Sequence, residues 1–282
     1  MLKKHFKLFL ELVVIVFILI ISRNEVYANV YTGACGIASA TNSVKYSLDT
    51  DTSELIIYAN AAGDCYMRDF ELNVADEWLQ YKNYITSVKI TGRVMNIGDY
   101  AFRNCTNLTS VSIPNAVIEE IGSYAFYNCK DLVNFKSTQG KVLLPSSVDT
   151  IGQYAFNNCF DITQVQMNSN ISTLQNGTFK DCTSMSSISI NSAVTYISGT
   201  CFRNCSSLTG VSLPSGLTYL GSQAFMDCSG LLNITIPQYV PDIHHQAFKN
   251  CTSMQWISYK TGTNISSTAF EGCSSSLVQI PY

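Results

Sequence analysis

From residue 85 onward the apolar positions of this chain fall into one recurring frame. A Phe-x-x-Cys tetrad returns at Phe102/Cys105, Phe126/Cys129, Phe156/Cys159, Phe179/Cys182, Phe202/Cys205, Phe225/Cys228, Phe248/Cys251 and Phe270/Cys273. Successive phenylalanines lie 24, 30, 23, 23, 23, 23 and 22 residues apart. Apolar residues follow the Cys at +3, +6 and +8, as in Leu108/Val111/Ile113, Met185/Ile188/Ile190, Leu208/Val211/Leu213 and Leu231/Ile234/Ile236. The last two of each set alternate with polar residues and predict a short strand with one buried face. Pro114, Pro214 and Pro237 follow such strands, where a residue without an N–H stops the ladder and turns the chain. Ahead of the Phe, an Ile-Gly-x-x-Ala segment crosses the opposite side, at Ile97-Gly98 with Ala101, Ile121-Gly122 with Ala125, Ile151-Gly152 with Ala155 and Leu220-Gly221 with Ala224. One such unit cannot bury its own apolar edges. Stacked units can, so the frame predicts a mainly β solenoid of about eight 23-residue coils.

Three coils depart from the frame. The 30-residue spacing marks an insertion around Ser137–Leu144, Leu174-Gln175-Asn176-Gly177-Thr178 replaces the usual Ile-Gly-x-x-Ala form, and Ile243-His244 replaces Ile-Gly. All three read as changes in loops.

The unit Ile-Gly-x-x-Ala-Phe-x-x-Cys-x-x-Leu-x-x-Val-x-Ile-Pro resembles the BspA-like, or treponemal-type, leucine-rich repeat. The likeness covers residues 85–282. Residues 29–84 resemble the β cap that precedes such repeats: Cys35-Gly36, a hairpin of Val44–Leu48 with Glu54–Tyr58 around Asp49-Thr50-Asp51, then Trp78-Leu79-Gln80-Tyr81, and a strand at Ile85–Ile90. The resemblance implies a leucine-rich-repeat solenoid at the cell surface, adhesion to host matrix proteins, host cells or other microbes, and no catalysis.

The extreme N-terminus fits that setting. Lys3, Lys4 and Lys7 precede an apolar run from Leu8 to Ile21 broken only by Glu11, and Val26-Tyr27-Ala28 has the small residues of a cleavage site. Residues 1–28 read as a secretory signal peptide, which makes the product secreted or surface-bound. The alternative is an uncleaved anchor, and that is the chain's one route to a membrane.

Eleven cysteines in a secreted chain invite a disulfide framework. The repeat argues otherwise for most of them. Equivalent positions in stacked coils point inward side by side and not at one another, so the ladder cysteines read as buried thiols. Cys201 sits in the small-residue slot of its coil and reads as packing. Cys35 and Cys65 lie outside the ladder and are the candidate disulfide.

Charge and chemistry narrow the function. The net charge is −3 with no basic run, which is unsuited to nucleic acid. Of three histidines, His5 is in the leader, and His244 and His245 are neighbours that an extended backbone turns to opposite sides. The acids are scattered, and neither a phosphate loop nor a serine elbow occurs. We therefore expect no catalytic, cofactor or metal site and no small-molecule substrate.

What remains is the exposed side of the strands, expected to be the concave face. It carries Ser110/Ser112, Asn134/Lys136, Gln164/Gln166, Ser187/Ser189, Gly210/Ser212, Asn233/Thr235 and Trp256/Ser258, with Tyr259 close behind. The candidate contacts for a protein or glycan ligand are Trp256, Tyr259, Gln164, Gln166, Asn134, Lys136 and Asn233. Two plainer readings stand beside this one: Trp256 covers the end of the stack, and the polar rows keep a sheet face soluble. A last strand at Leu277–Ile280 with no capping unit after it would offer an open edge to a second copy. Eight Asn-x-Ser/Thr sequons occur, of which Asn104, Asn204 and Asn250 arise from the repeat itself.

Overall fold

The computed structural model describes residues 30–36, 44–59, 63–70, 77–114, 117–136, 140–167 and 170–282. The leader read at residues 1–28 lies outside them. Among the described residues no helix is long and apolar enough to cross a membrane.

The described chain opens with β1 (Val30–Ala34), β2 (Val44–Asp49) and β3 (Glu54–Ala59), then a 3-10 turn at Glu77–Tyr81 and β4 (Ser87–Thr91). The coils follow, with short strands alternating between two sides. They are β5 (Asn96–Ile97), β6 (Ser110–Ser112), β7 (Glu120–Ile121), β8 (Asn134–Phe135), β9 (Val142–Leu143), β10 (Thr150–Ile151), β11 (Gln164–Gln166), β12 (Thr173–Leu174) and β13 (Ser187–Ser189). The series ends with β14 (Tyr196–Ile197), β15 (Tyr219–Leu220), β16 (Asn233–Thr235), β17 (Asp242–Ile243), β18 (Trp256–Tyr259), β19 (Asn264–Ile265) and β20 (Val278–Pro281). β1 to β3 pair antiparallel, and β3 then runs parallel to β4, so the hairpin and the first coils share one sheet. The chain is a mainly β leucine-rich-repeat solenoid with an N-terminal hairpin cap.

The motif residues line one continuous core. Every ladder phenylalanine from Phe102 to Phe248 is fully buried. Their rings stack at centroid distances of 5.1 to 6.0 Å through to Phe270. Paired strands lie only ~4.8 Å apart. The other side of the coils also carries paired parallel strands, β7 with β10 and β12 with β14 and β15, so the rings stack between two hydrogen-bonded faces.

Hydrogen bonds tie each coil to the next. The amide of each ladder Phe donates to the carbonyl of the small residue in the following coil, as in Phe102 to Ala125 (2.8 Å), Phe179 to Cys201 (3.0 Å) and Phe248 to Ala269 (2.9 Å). Each ladder Cys from Cys129 to Cys273 donates its thiol back to the Phe carbonyl of the preceding coil, at 3.0 to 3.3 Å. The thiol therefore serves as a buried donor as well as a small apolar group. Just before it, Asn104, Asn128, Asn158, Asp181, Asn204, Asp227 and Asn250 all adopt φ of 59° to 64°. That region costs most residues energy, and Asn and Asp tolerate it best. Their side chains also zip along the axis, as in Asn204 Nδ2 to Asp181 Oδ1 (2.9 Å) and Asn250 Nδ2 to Asp227 Oδ1 (2.8 Å).

Trp78 closes the N-terminal end. Its indole stacks on Phe102 at 6.1 Å, and its Nε1 donates to the Ala101 carbonyl at 3.0 Å. In every later coil that carbonyl position is served by the preceding Phe amide. Trp78 thus supplies both the ring and the N–H of a coil that is not there. Phe70 and Tyr46 pack against its other faces at 4.8 and 5.1 Å.

Two sequence expectations need correcting. The insertion is not simply a loop, because Val142–Leu143 forms β9 and enters the sheet between β8 and β11. On the opposite side β7 and β10 pair directly, with no rung between them. The sheet side gains ~4.8 Å there, while the Phe126 and Phe156 rings stay 5.3 Å apart. Phe135 fills the widened wedge edge-on against both rings, at 5.5 and 5.9 Å. Second, the coil containing Val211 and Leu213 forms no strand, and only an isolated bridge joins Gly210 to Asn233. Pro214 is not the reason, since β16 forms ahead of Pro237 in the same frame. Gly210 is the difference: a residue without a side chain gains little from a pleated ladder.

Two outcomes follow. Burial pushes the Cys105 and Cys228 thiols up to about 12, and Cys129, Cys159 and Cys205 well above the ordinary value. Below the unfolded thiol value of ~8.5 both states hold these protons, and stability is flat. From there toward pH ~12 only the unfolded chain releases them, so stability falls as pH rises. Urea unfolding under reductant at pH 7 and pH 10 should show a large loss, and Cys182→Val should shrink it; a pH-independent midpoint would contradict this. Separately, Trp78→Ala should cost ~3–5 kcal/mol through the cavity it leaves. Trp78→Phe should cost only ~1–3 kcal/mol, for the carbonyl left without its donor.

Candidate binding face

Strand alternation sets two rows of side chains on the open side of the sheet. In the first row Ser110 is registered with Asn134, Gln164 with Ser187, and Gly210 with Asn233, which continues to Trp256 and Val278. In the second, Lys89 is beside Ser112, Leu143 beside Gln166 and Ser189, and Thr235 beside Ser258 and Ile280.

Gln164 and Gln166 are exposed next to the added rung, and Asn134 and Asn233 are half-buried. Lys136 is exposed but has left the strand, since its φ is +52°. Trp256 lies half-buried in the first row between Asn233 and Val278. Tyr259 departs from the expectation. Alternation turns it to the core side, where it packs against the buried cluster and its hydroxyl donates to Gln279 Oε1 at 3.0 Å. The outermost strand exposes Val278 and Ile280 in the two face rows, so the face turns apolar at that end.

The missing strand opens a feature that sequence reasoning did not foresee. A cavity of about 500 Å³ lies beside the interruption, lined among others by Val211, Leu213, Asn233, Thr235, Pro237 and Tyr282. The Tyr282 hydroxyl donates to the Ile236 carbonyl at 2.7 Å and fixes one wall. Val211 and Leu213 are only half-buried, whereas the matching Ile234 and Ile236 are fully buried. The signal was present in the sequence as a glycine at the first position of a strand frame.

Gly36 pairs with Met67, and the Arg68 amide donates to the Cys35 carbonyl at 2.9 Å. Cys35 therefore lies opposite Arg68 and three residues, roughly 10 Å, from Cys65 along the neighbouring segment. That is too far for the candidate disulfide, and the two thiols are not bridged. His244 packs on Tyr219 at 5.0 Å, and His245 Nδ1 lies 2.8 Å from Thr268 Oγ1. Among the described residues no group of His, Cys, Asp or Glu could hold a metal ion.

Comparison with known proteins bears on the architecture just described. The model for the BspA type leucine-rich repeat region matches residues 73–142, 135–255 and 219–282, with six copies. The chain belongs to the BspA-type leucine-rich repeat family. No curated protein matches it significantly. Among solved structures, a leucine-rich repeat protein from Bacteroides ovatus is similar at 23% identity and a TM-score of 0.59, over 85% of this chain and 70% of that one. A leucine rich cell surface protein from Faecalibacterium prausnitzii matches at 19% identity, a TM-score of 0.42, and 85% and 93% coverage. A T. pallidum leucine-rich repeat protein matches at 20% identity, a TM-score of 0.39, and 77% and 83% coverage. The BspA-type repeat is an interaction scaffold, and no catalytic family is indicated.

Gly210 gives this face a direct test. A Cβ built at Gly210 meets nothing within 4 Å. Gly210→Thr should therefore extend the ladder through Val211–Leu213 and narrow the cavity. Hydrogen exchange would report stronger protection of those three amides; unchanged exchange would mean that Gly210 is not the cause.

Proposed function

We propose that this protein is a secreted or cell-surface adhesin-like binding protein that holds a protein or glycan ligand on the concave sheet face. The observation that carries the reading is the two-row face itself. It is built mainly of uncharged polar side chains, is interrupted by a cavity, and is bordered by Trp256 and the exposed Val278 and Ile280 of β20. At ~4.8 Å per rung the face runs roughly 40 Å, enough for a standard protein interface. Affinity on such a face comes from hydrogen bonds and a buried anchor and owes little to charge steering. Gln164, Gln166, Asn134, Lys136 and Asn233 are the polar contacts, and Trp256 is the aromatic one. Tyr259 acts only by supporting the strand that carries Trp256.

A second reading is a displayed surface antigen with no dedicated ligand. The solubilising character of Ser and Thr rows is what favours it. Binding assays separate the two. The purified protein is tested against immobilised matrix proteins, epithelial cells and a glycan array, beside Trp256→Ala and a Gln164→Ala/Gln166→Ala double variant. Saturable binding that falls about tenfold or more in the variants, at unchanged Tm, supports the ligand face. An empty panel supports display.

A further inference from the structure

The position just after each ladder Phe forms a column along one flank of the solenoid. Its bases are Arg103, Lys180, Arg203 and Lys249. Three of them meet a carboxylate: Lys180 with Asp181 (3.5 Å), Arg203 with Asp227 (3.5 Å) and Lys249 with Glu271 (2.9 Å). Arg103 does not. Asp227 stands just before the ladder Cys of the coil after Arg203, and in the frame of Arg103 that position is Asn128. Asn128 is neutral, and its Nδ2 is committed to Asn104 Oδ1 at 2.9 Å. The repeat has thus removed the internal counterion of Arg103 and kept the charge.

The surroundings of Arg103 are aromatic. Its guanidinium lies 5.8 Å from the Tyr100 ring centre and 5.4 Å from that of Tyr127. Tyr124 completes the group at 5.1 Å from Tyr100 and 5.7 Å from Tyr127. The Nε of Arg103 is buried and makes no hydrogen bond. All four residues are half-exposed. A guanidinium stacked on rings keeps its outer N–H groups in a fixed fork, suited to an oxyanion. Tyrosine bodies and hydroxyls next to it suit the ring and hydroxyls of a sugar. Only one base here lacks a carboxylate and the chain is acidic overall, so the arrangement fits a single anionic group and not a polyanion.

We propose that Arg103, framed by Tyr100, Tyr124 and Tyr127, binds a sugar carrying one anionic substituent, a sulfate ester or a carboxylate. The site lies on the flank and is independent of the concave face. Calorimetry with a sulfated disaccharide, a uronate-containing disaccharide and their neutral parent tests it. The expected result is binding of one or both anionic sugars and none of the neutral one. Asn128→Asp, which copies the Arg203–Asp227 arrangement, should weaken that binding about tenfold or more with Tm unchanged or raised, and Trp256→Ala should leave it unaltered. Sulfate binding alone identifies a sulfated glycan, and uronate binding alone a carboxylated one. The proposal is overturned if no anionic sugar binds, if the neutral sugar binds equally, if a sulfotyrosine peptide binds as tightly as the sugars, or if Asn128→Asp changes nothing.

Discussion

Each interior phenylalanine commits its amide to the coil ahead, and its carbonyl accepts the thiol of the Cys in that same coil. Backbone groups buried this deeply must be paired; the Phe amide finds its partner in the neighbouring coil, while the Phe carbonyl is shared between that coil's thiol and the Cys amide of its own coil. Rings, amides and thiols therefore run along the axis together. No coil satisfies its own interior, which is why the fold is a stack and why stability belongs to the boundaries between coils. The same constraint explains why the thiols resist both pairing and ionisation. A disulfide would remove the S–H donor, and a thiolate would place a charge beside a carbonyl in an apolar core.

A stack of this kind fails at its ends unless something imitates the missing neighbour. Trp78 does so with one side chain, supplying a ring for Phe102 and an N–H for Ala101. On the last described strand, β20, Val278 and Ile280 are exposed. Between the ends, the two irregular coils shape the face. The added rung at Val142–Leu143 lengthens the sheet side alone. The interruption at Gly210 does the reverse, exposing part of the interior as a cavity. Both features leave the phenylalanine ladder intact, so the core tolerates variation on the open sheet face.

The chain belongs to a repeat family, and leucine-rich repeat proteins generally mediate protein interactions. The proposed concave face and the proposed arginine site differ in their physics. One relies on extent and hydrogen bonding, the other on a single uncompensated charge held by aromatic rings. Both come from small departures of one coil from its neighbours, and that is how a repeat protein acquires specificity without altering its frame.

Much of the architecture was legible in the chain alone, because a repeat writes the same physical requirement eight times. The coil period, the inward Phe and Cys, the buried thiols and the polar rows of the sheet all followed from that redundancy. Features that occur once had no such redundancy. The strand at Val142–Leu143, the lost strand at Gly210, the inward turn of Tyr259 and the separation of Cys35 from Cys65 depend on register, and register is decided by what packs alongside. The role of Trp78 depends on a carbonyl 23 residues away. The isolation of Arg103 depends on which residue the next coil places beside it. Sequence by itself determined the repeat, its core and the presence of a cap; tertiary structure decided how Trp78 closes the first coil, where the sheet gains or loses a rung and which side chains stand together, since those arise from contacts between coils and not from the pattern within one.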